Sequence, residues 1–201
     1  MKSFIYLGFL LLITGLHAQD ATQMQIVYGV EDKLLQGVLN FENISINQVK
    51  LSGPSISGKH YQLILKEYIK GNLKETTVLF DSAEADFFKI DKDAFQFNVI
   101  SKITERNEFK IELQFNGFSS KKYYFPLKST DYPYALKDFL GEKNEVEVAP
   151  SRFNILALIT PTIHADGSAS YCEVAQSGVE AKDLGKVYDM PQNFILEMKL
   201  K

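Results

Sequence analysis

Residues 53–60 read GPSISGKH, with Gly53, Gly58 and Lys59 at the spacing of a phosphate-cradling loop, G-x-x-x-x-G-K. Such a loop wraps phosphates in backbone N–H groups, reaches them with its lysine, and holds magnesium through the next residue's hydroxyl. Here the next residue is His60, which has no hydroxyl. A nucleotide fold also needs parallel strands with helices between them. The rest of this chain alternates apolar and polar residues instead. Glycine, proline and serine between two apolar segments make a turn. The expectation for 53–59 is therefore a turn that binds no nucleotide, and no cofactor is expected elsewhere.

The stretch PTIHADGSASYC brings His164, Asp166 and Cys172 close in sequence. A thiol nucleophile needs its base within hydrogen-bond reach. A two-residue Asp166-Gly167 hairpin loop pairs His164 with Ala169 and Cys172 with Pro161. His164 then shares a face with Thr162 and Tyr171, while Cys172 points the other way, beside Ile163. A four-residue loop keeps that parity. A three-residue loop sets Cys172 opposite Thr162, where it is only a diagonal neighbour of His164, roughly 7 Å away. The lone cysteine reads as a small buried hydrophobe. A hydrolase using Cys172 and His164 is the enzymatic alternative, and no catalytic residue is assigned.

Metal chemistry has little to work with. The chain has three histidines and one cysteine, too few for a transition-metal quartet once His17 is set aside. Asp81, Glu84, Asp86, Asp91 and Asp93 form an acidic stretch without the ligand spacing or glycine of a calcium loop, so it reads as a solvated face. No metal site is expected. Aromatic clusters suggest a different chemistry. Tyr123, Tyr124 and Phe125 precede Pro126, and Tyr132 and Tyr134 flank Pro133. Exposed flat rings bind sugars, which makes a carbohydrate-binding module using exposed tyrosines a second alternative.

The elements that position these groups are strands. In EFKIELQFNG, Phe109, Ile111, Leu113 and Phe115 share one face and the charged and amide residues share the other. AFQFNVI and NFILEMKLK repeat the pattern with Phe95, Phe97 and Val99, and with Phe194, Leu196, Met198 and Leu200. Side chains of a strand point to opposite faces by turns, so each segment is a strand buried on one side. MQIVYGV, LLQGVLNF, ISINQVKL, KETTVLF, KYYFPL and RFNILALI are further strand candidates, and HYQLILKEYIKG fits strand and helix equally. Asn116-Gly117 and Asp166-Gly167 sit at hairpin positions. Two stretches, STDYPYALKDFLG and SGVEAKDLGKVYDMP, carry the caps and stops of short helices. Many half-buried strands and short turns predict an all-β chain, an antiparallel β-sandwich with one or two short helices. An outer-membrane barrel is the rival, and the final Leu200-Lys201 lacks the aromatic that usually ends its last strand.

The first residues, MKSFIYLGFLLLITGLHAQD, place one cation before an apolar run and a small residue, Ala18, before polar chain. That layout predicts a signal peptide over 1–18, followed by a single β-sandwich domain over 19–201 with a possible subdivision within 128–151. The protein is then exported, periplasmic or extracellular. With no cysteine near the cut it is not a lipoprotein, and no later apolar run is long enough to be a transmembrane segment. The net charge of −3 and the lack of a basic run argue against nucleic acid or an anionic membrane as partner. A single cysteine excludes an intramolecular disulfide.

The C-terminal run TPTIHADGSASYCEVAQSGVEAKDLGKVYDMPQNFILEM and the leader ending HAQ resemble small exported all-β proteins of uncharacterised Bacteroidetes families. The resemblance implies an exported all-β protein and brings no catalytic residues. Asp81-Ser82-Ala83 is similar to a three-residue O-glycosylation site of that lineage. The resulting expectation is a non-catalytic binding or structural role with a protein or glycan partner.

Overall fold

The computed structural model describes residues 21–128, 133–164, 166–171 and 178–201. Two antiparallel sheets pack face to face. The first holds β1 (Thr22–Tyr28), β2 (Ile44–Ser52), β5 (Ala94–Ile103), β6 (Glu108–Gln114), β7 (Tyr123–Pro126) and β9 (Glu145–Val148), in the order β7-β6-β5-β2-β1-β9. The second holds β3 (Tyr61–Ile69), β4 (Asn72–Asp81), β8 (Ala135–Asp138), β10 (Arg152–Ile159) and β13 (Gln192–Leu200), in the order β4-β3-β13-β10-β8. A small hairpin, β11 (Thr162–Ile163) with β12 (Ala169–Ser170), stands apart. The expected all-β sandwich is observed, with two short helices.

Alternation explains the core. Val49 and Leu51 of β2, Phe97 and Val99 of β5, and Phe109, Ile111 and Leu113 of β6 point inward. They meet Tyr61, Leu63 and Leu65 of β3 and Phe194, Leu196 and Met198 of β13 in one apolar cluster. Leu140, Leu136, Val146 and Val148, from the stretch 128–151, belong to that same cluster. In β10 a register shift between Asn154 and Leu156 turns the consecutive residues Ile155 and Leu156 to the same core, and a second apolar cluster covers Ala157 and Ile159, so RFNILALI breaks the period of two.

Three element readings are corrected. LLQGVLNF is a helix, α1 (Lys33–Phe41): Asp32 accepts the Leu35 N–H at 2.9 Å and caps it, and Leu39 is its buried anchor. Its opposite side leaves Leu34, Val38 and Phe41 exposed. The stretch expected as a helix at 129–141 carries strand β8, drawn out by pairing with β10, while residues 129–132 lie outside the described set. NFILEMKLK is buried on both faces rather than one. The reason is a second apolar layer, in which Ala181, Leu184 and Met190 cover Ile195, Ala157 and Tyr68. That layer includes α2 (Leu184–Val187), within the second helical stretch read from the sequence. HYQLILKEYIKG resolves as strand β3, and β9 is a strand the sequence reading did not single out.

The long edge strand β4 is guarded. The Tyr123 hydroxyl donates to the Val78 and Leu79 carbonyls at 3.1 and 2.9 Å, tying β7 of one sheet to β4 of the other. Among the described residues no helix is long and apolar enough to cross a membrane.

Candidate functional site

The segment 53–59 is a turn between β2 and β3, with a short 3-10 helix at Pro54–Ile56. The N–H groups of both its glycines are already bonded. Gly53 N donates to Asp93 O at 2.8 Å and Gly58 N to Ile90 O at 2.7 Å, and Lys59 O accepts from Ile90 N at 3.0 Å. The turn therefore grips residues 90–93 instead of phosphate. Gly53 is required there: its φ is +143° and an added Cβ would lie 2.4 Å from the Ala21 carbonyl oxygen.

The gripped segment connects β4 to β5 and folds into two short 3-10 turns, Ser82–Glu84 and Asp86–Phe88. At its root stands a serine–histidine–aspartate set: His60 Nδ1 lies 3.1 Å from Ser82 Oγ and Nε2 lies 3.5 Å from Asp86. This is not a catalytic arrangement. Ser82 is 0% exposed and its Oγ accepts the Tyr61 N–H at 2.7 Å, so no substrate reaches it. The same burial leaves no room for a sugar on Ser82 in the folded protein, against the short glycosylation-like match. Asp81 is held by Lys201, Gln62 and the Ala83 N–H. Two of the acidic side chains of 81–93, Asp81 and Asp86, are thus occupied in pinning the connection. Among the described residues no three His, Cys, Asp or Glu side chains form a metal-holding group.

The pinned connection presents an aromatic rim. Phe87 is 80% exposed, and its ring lies 4.1 Å from that of Phe88. Phe88 packs in turn on Phe80 and Phe118, at 5.2 and 4.8 Å between ring centroids. Phe87 is therefore an exposed ring on a rigid base.

Beside this rim opens a trough of about 900 Å³. Its floor includes the outer face of the six-stranded sheet, where the register sets polar side chains in rows. Gln25 pairs with Lys50 and Lys50 with Gln96; one step along the strands, Gln48 pairs with Asn98 and Asn98 with Gln114. At the rim end Ser52 pairs with Ala94, and these short side chains deepen the trough next to Phe87 and Phe88. Asn98 Nδ2 donates to Gln114 Oε1 at 3.2 Å. Among the described residues the amides of Gln23, Gln25, Gln48 and Gln96 have no protein hydrogen-bond partner. Each leaves an acceptor and two donors for a ligand.

The other sequence candidates lie elsewhere. Tyr123 and Phe125 are half-buried, stacked at 6.3 Å against the core. Tyr134 is half-buried and its hydroxyl donates to Gln192 at 3.2 Å. Tyr124 is exposed, with Lys110 5.7 Å from its ring, and Tyr132 lies outside the described residues. These tyrosines mostly anchor strands rather than form a platform. In the hairpin, Thr162 pairs with Ser170 and Ile163 with Ala169, and His164 N donates to Ser168 O at 2.9 Å. The loop is thus 165–167, and Ser170 rather than Tyr171 shares the alternation of His164. The three-residue loop weighed from the sequence is observed, one residue earlier than that reading placed it, and the two- and four-residue loops are not. Ser168 hydrogen bonds hold the Asp166 carboxyl below its ordinary range. His164 is exposed, and Cys172 lies outside the described residues.

No protein-family model, curated protein or solved structure matches this chain.

Proposed function

We propose that this is an exported, non-catalytic binding protein whose ligand lies in the trough beside Phe87. The observation that carries the reading is the set of partnerless amides, Gln23, Gln25, Gln48 and Gln96, facing one cavity rimmed by an exposed ring. An amide array binds and orients but supplies neither nucleophile nor general base near neutral pH. Export rests on the leader MKSFIYLGFLLLITGLHAQD and on the resemblance to exported Bacteroidetes proteins. Mass spectrometry of the exported protein tests that part: the first residue is Gln19 or a close neighbour, and a retained Met1 refutes it.

The binding reading is tested by following side-chain amide NMR resonances of Gln25, Gln48 and Gln96. Two probe sets are titrated, soluble polysaccharides and short peptides. A saturable shift of these resonances by either set supports the reading. Resonances unmoved by both sets refute the trough as the binding site.

A further inference from the structure

The geometry points to a neutral glycan chain as the occupant of the trough, an inference that rests on the binding reading above. Three properties of the cavity select this chemistry.

The first is charge. Lys89 is paired with Asp86 at 2.9 Å, which leaves Lys50 and Lys92 balanced against Asp91 and Glu145, and the other polar groups of the floor are uncharged amides and the Ser52 hydroxyl. A phosphate or uronate polymer would have to leave water for a surface without matching net charge, at a large desolvation cost. A hydroxyl-rich, uncharged ligand has no such cost.

The second is hydrogen-bond type. A primary amide offers a donor and an acceptor side by side, which complements neighbouring hydroxyls that can each give and take a proton. Strands are spaced ~4.8 Å apart and alternate residues of one strand ~6.8 Å apart, so the amides form a repeating lattice suited to a repeating polymer. The floor's backbone groups are engaged in the β1–β2–β5–β6 ladders. An extended peptide therefore cannot add as a further strand here, which removes the main-chain mode by which sheets bind peptides.

The third is the rim. Phe87 presents a ring face at the end where Ser52 and Ala94 leave space. A pyranose has one face of C–H groups, and a flat exposed ring covers that face while the amides take the hydroxyl edges. Contact with Phe88, 4.1 Å between ring centroids, limits the freedom the ring has to lose on binding.

Affinity electrophoresis tests the assignment with full-length mature protein and five probes: a β-glucan, a xylan, a mannan, a dextran and acidic alginate. Expected is retardation by at least one neutral polysaccharide, unchanged between 0.05 and 0.5 M salt, roughly the range over which an ionic contact is screened. Phe87→Ala should weaken it about tenfold and Gln25→Ala/Gln48→Ala/Gln96→Ala should abolish it. All four side chains are solvent-accessible, and an unchanged Tm confirms that the variants fold. Retardation by alginate alone, lost with salt, overturns the neutral-glycan assignment. So does the absence of retardation by any neutral polysaccharide. Peptide-induced shifts of the trough amides would then leave the binding reading standing with a different ligand, whereas silence from both probe sets removes both.

Discussion

Gln192 Nε2 donates to Glu67 Oε1 at 2.8 Å inside the sandwich, and Gln192 Oε1 accepts the Lys128 N–H at 2.8 Å. The same side chain, 0% exposed, also donates to Pro126 O at 3.1 Å and accepts from the Tyr134 hydroxyl at 3.2 Å. Both donors and both acceptor positions of one amide are used. It joins β13 to β3, to the end of β7 and to the chain leading into β8. Gln192→Ala removes four hydrogen bonds at once and leaves the buried Glu67 carboxylate with Lys74, at 3.4 Å, as its partner. The expected loss is about 2–4 kcal/mol in urea unfolding, and a loss under about 0.5 kcal/mol contradicts the network's role.

Tyr123→Phe keeps the ring that stacks on Phe125 and removes only the hydroxyl that bonds the Val78 and Leu79 carbonyls. Stability should fall by about 1 kcal/mol. The uncovered edge of β4 should also raise concentration-dependent aggregation, read by light scattering. A variant as stable and as monodisperse as the parent refutes the edge-guard role.

Gly71 and Gly185 touch where the β3–β4 turn meets α2. A Cβ on Gly185 would lie 2.7 Å from Asn193 Oδ1 and 2.8 Å from Gly71 Cα. Gly185→Ala must push the covering layer off β13, at a cost of about 1–3 kcal/mol. Faster hydrogen exchange at residues 192–197 is the specific sign. Gly117→Ala, where nothing lies within 4 Å, should leave that exchange unchanged and lose only the smaller amount due to its φ of +91°.

Asp81 shows the pH dependence of the C-terminal clasp. Partial burial pushes its carboxyl up, but the Ala83 N–H, Lys201 and Gln62 together hold it below its ordinary range. A folded-state pKa below the unfolded one adds stability above the unfolded value, and that stability is lost as pH falls through the folded value. Lys201→Ala should raise the Asp81 pKa and start the acid loss at higher pH. At neutral pH the cost stays under about 1 kcal/mol, because the ammonium is partly solvated. NMR titration of the Asp81 carboxyl checks it, and an unmoved titration contradicts the clasp.

Much of the fold was legible as period-two alternation. Phe95, Phe97 and Val99, and Phe109, Ile111 and Leu113, announce β5 and β6 because a strand turns alternate side chains to opposite faces. Local signals misled where they were balanced. LLQGVLNF holds apolar residues at both spacings, and Asp32, three residues before Leu35, was the capping signal that identifies α1. YALKD has a helical look, yet β10 offered an unpaired edge and β8 took it.

The candidate site was present in the sequence only as amides on four strand segments: Gln23 and Gln25, Gln48, Gln96 and Asn98, and Gln114. Strict alternation turned Gln96, Asn98 and Gln114 away from the core, whereas Gln48 shares its alternation with Ile44 and Ile46 and had no face legible from sequence. That the amides line one cavity follows from how the strands pair. The strand order β6-β5-β2-β1 interleaves distant segments, and the register between strands aligns their rows. The turn at 53–59 shows the same division. Its composition required a turn, whereas its grip on Ile90 and Asp93, which sets Phe87 at the rim, depends on hydrogen bonds between segments that meet only when the sheets pack.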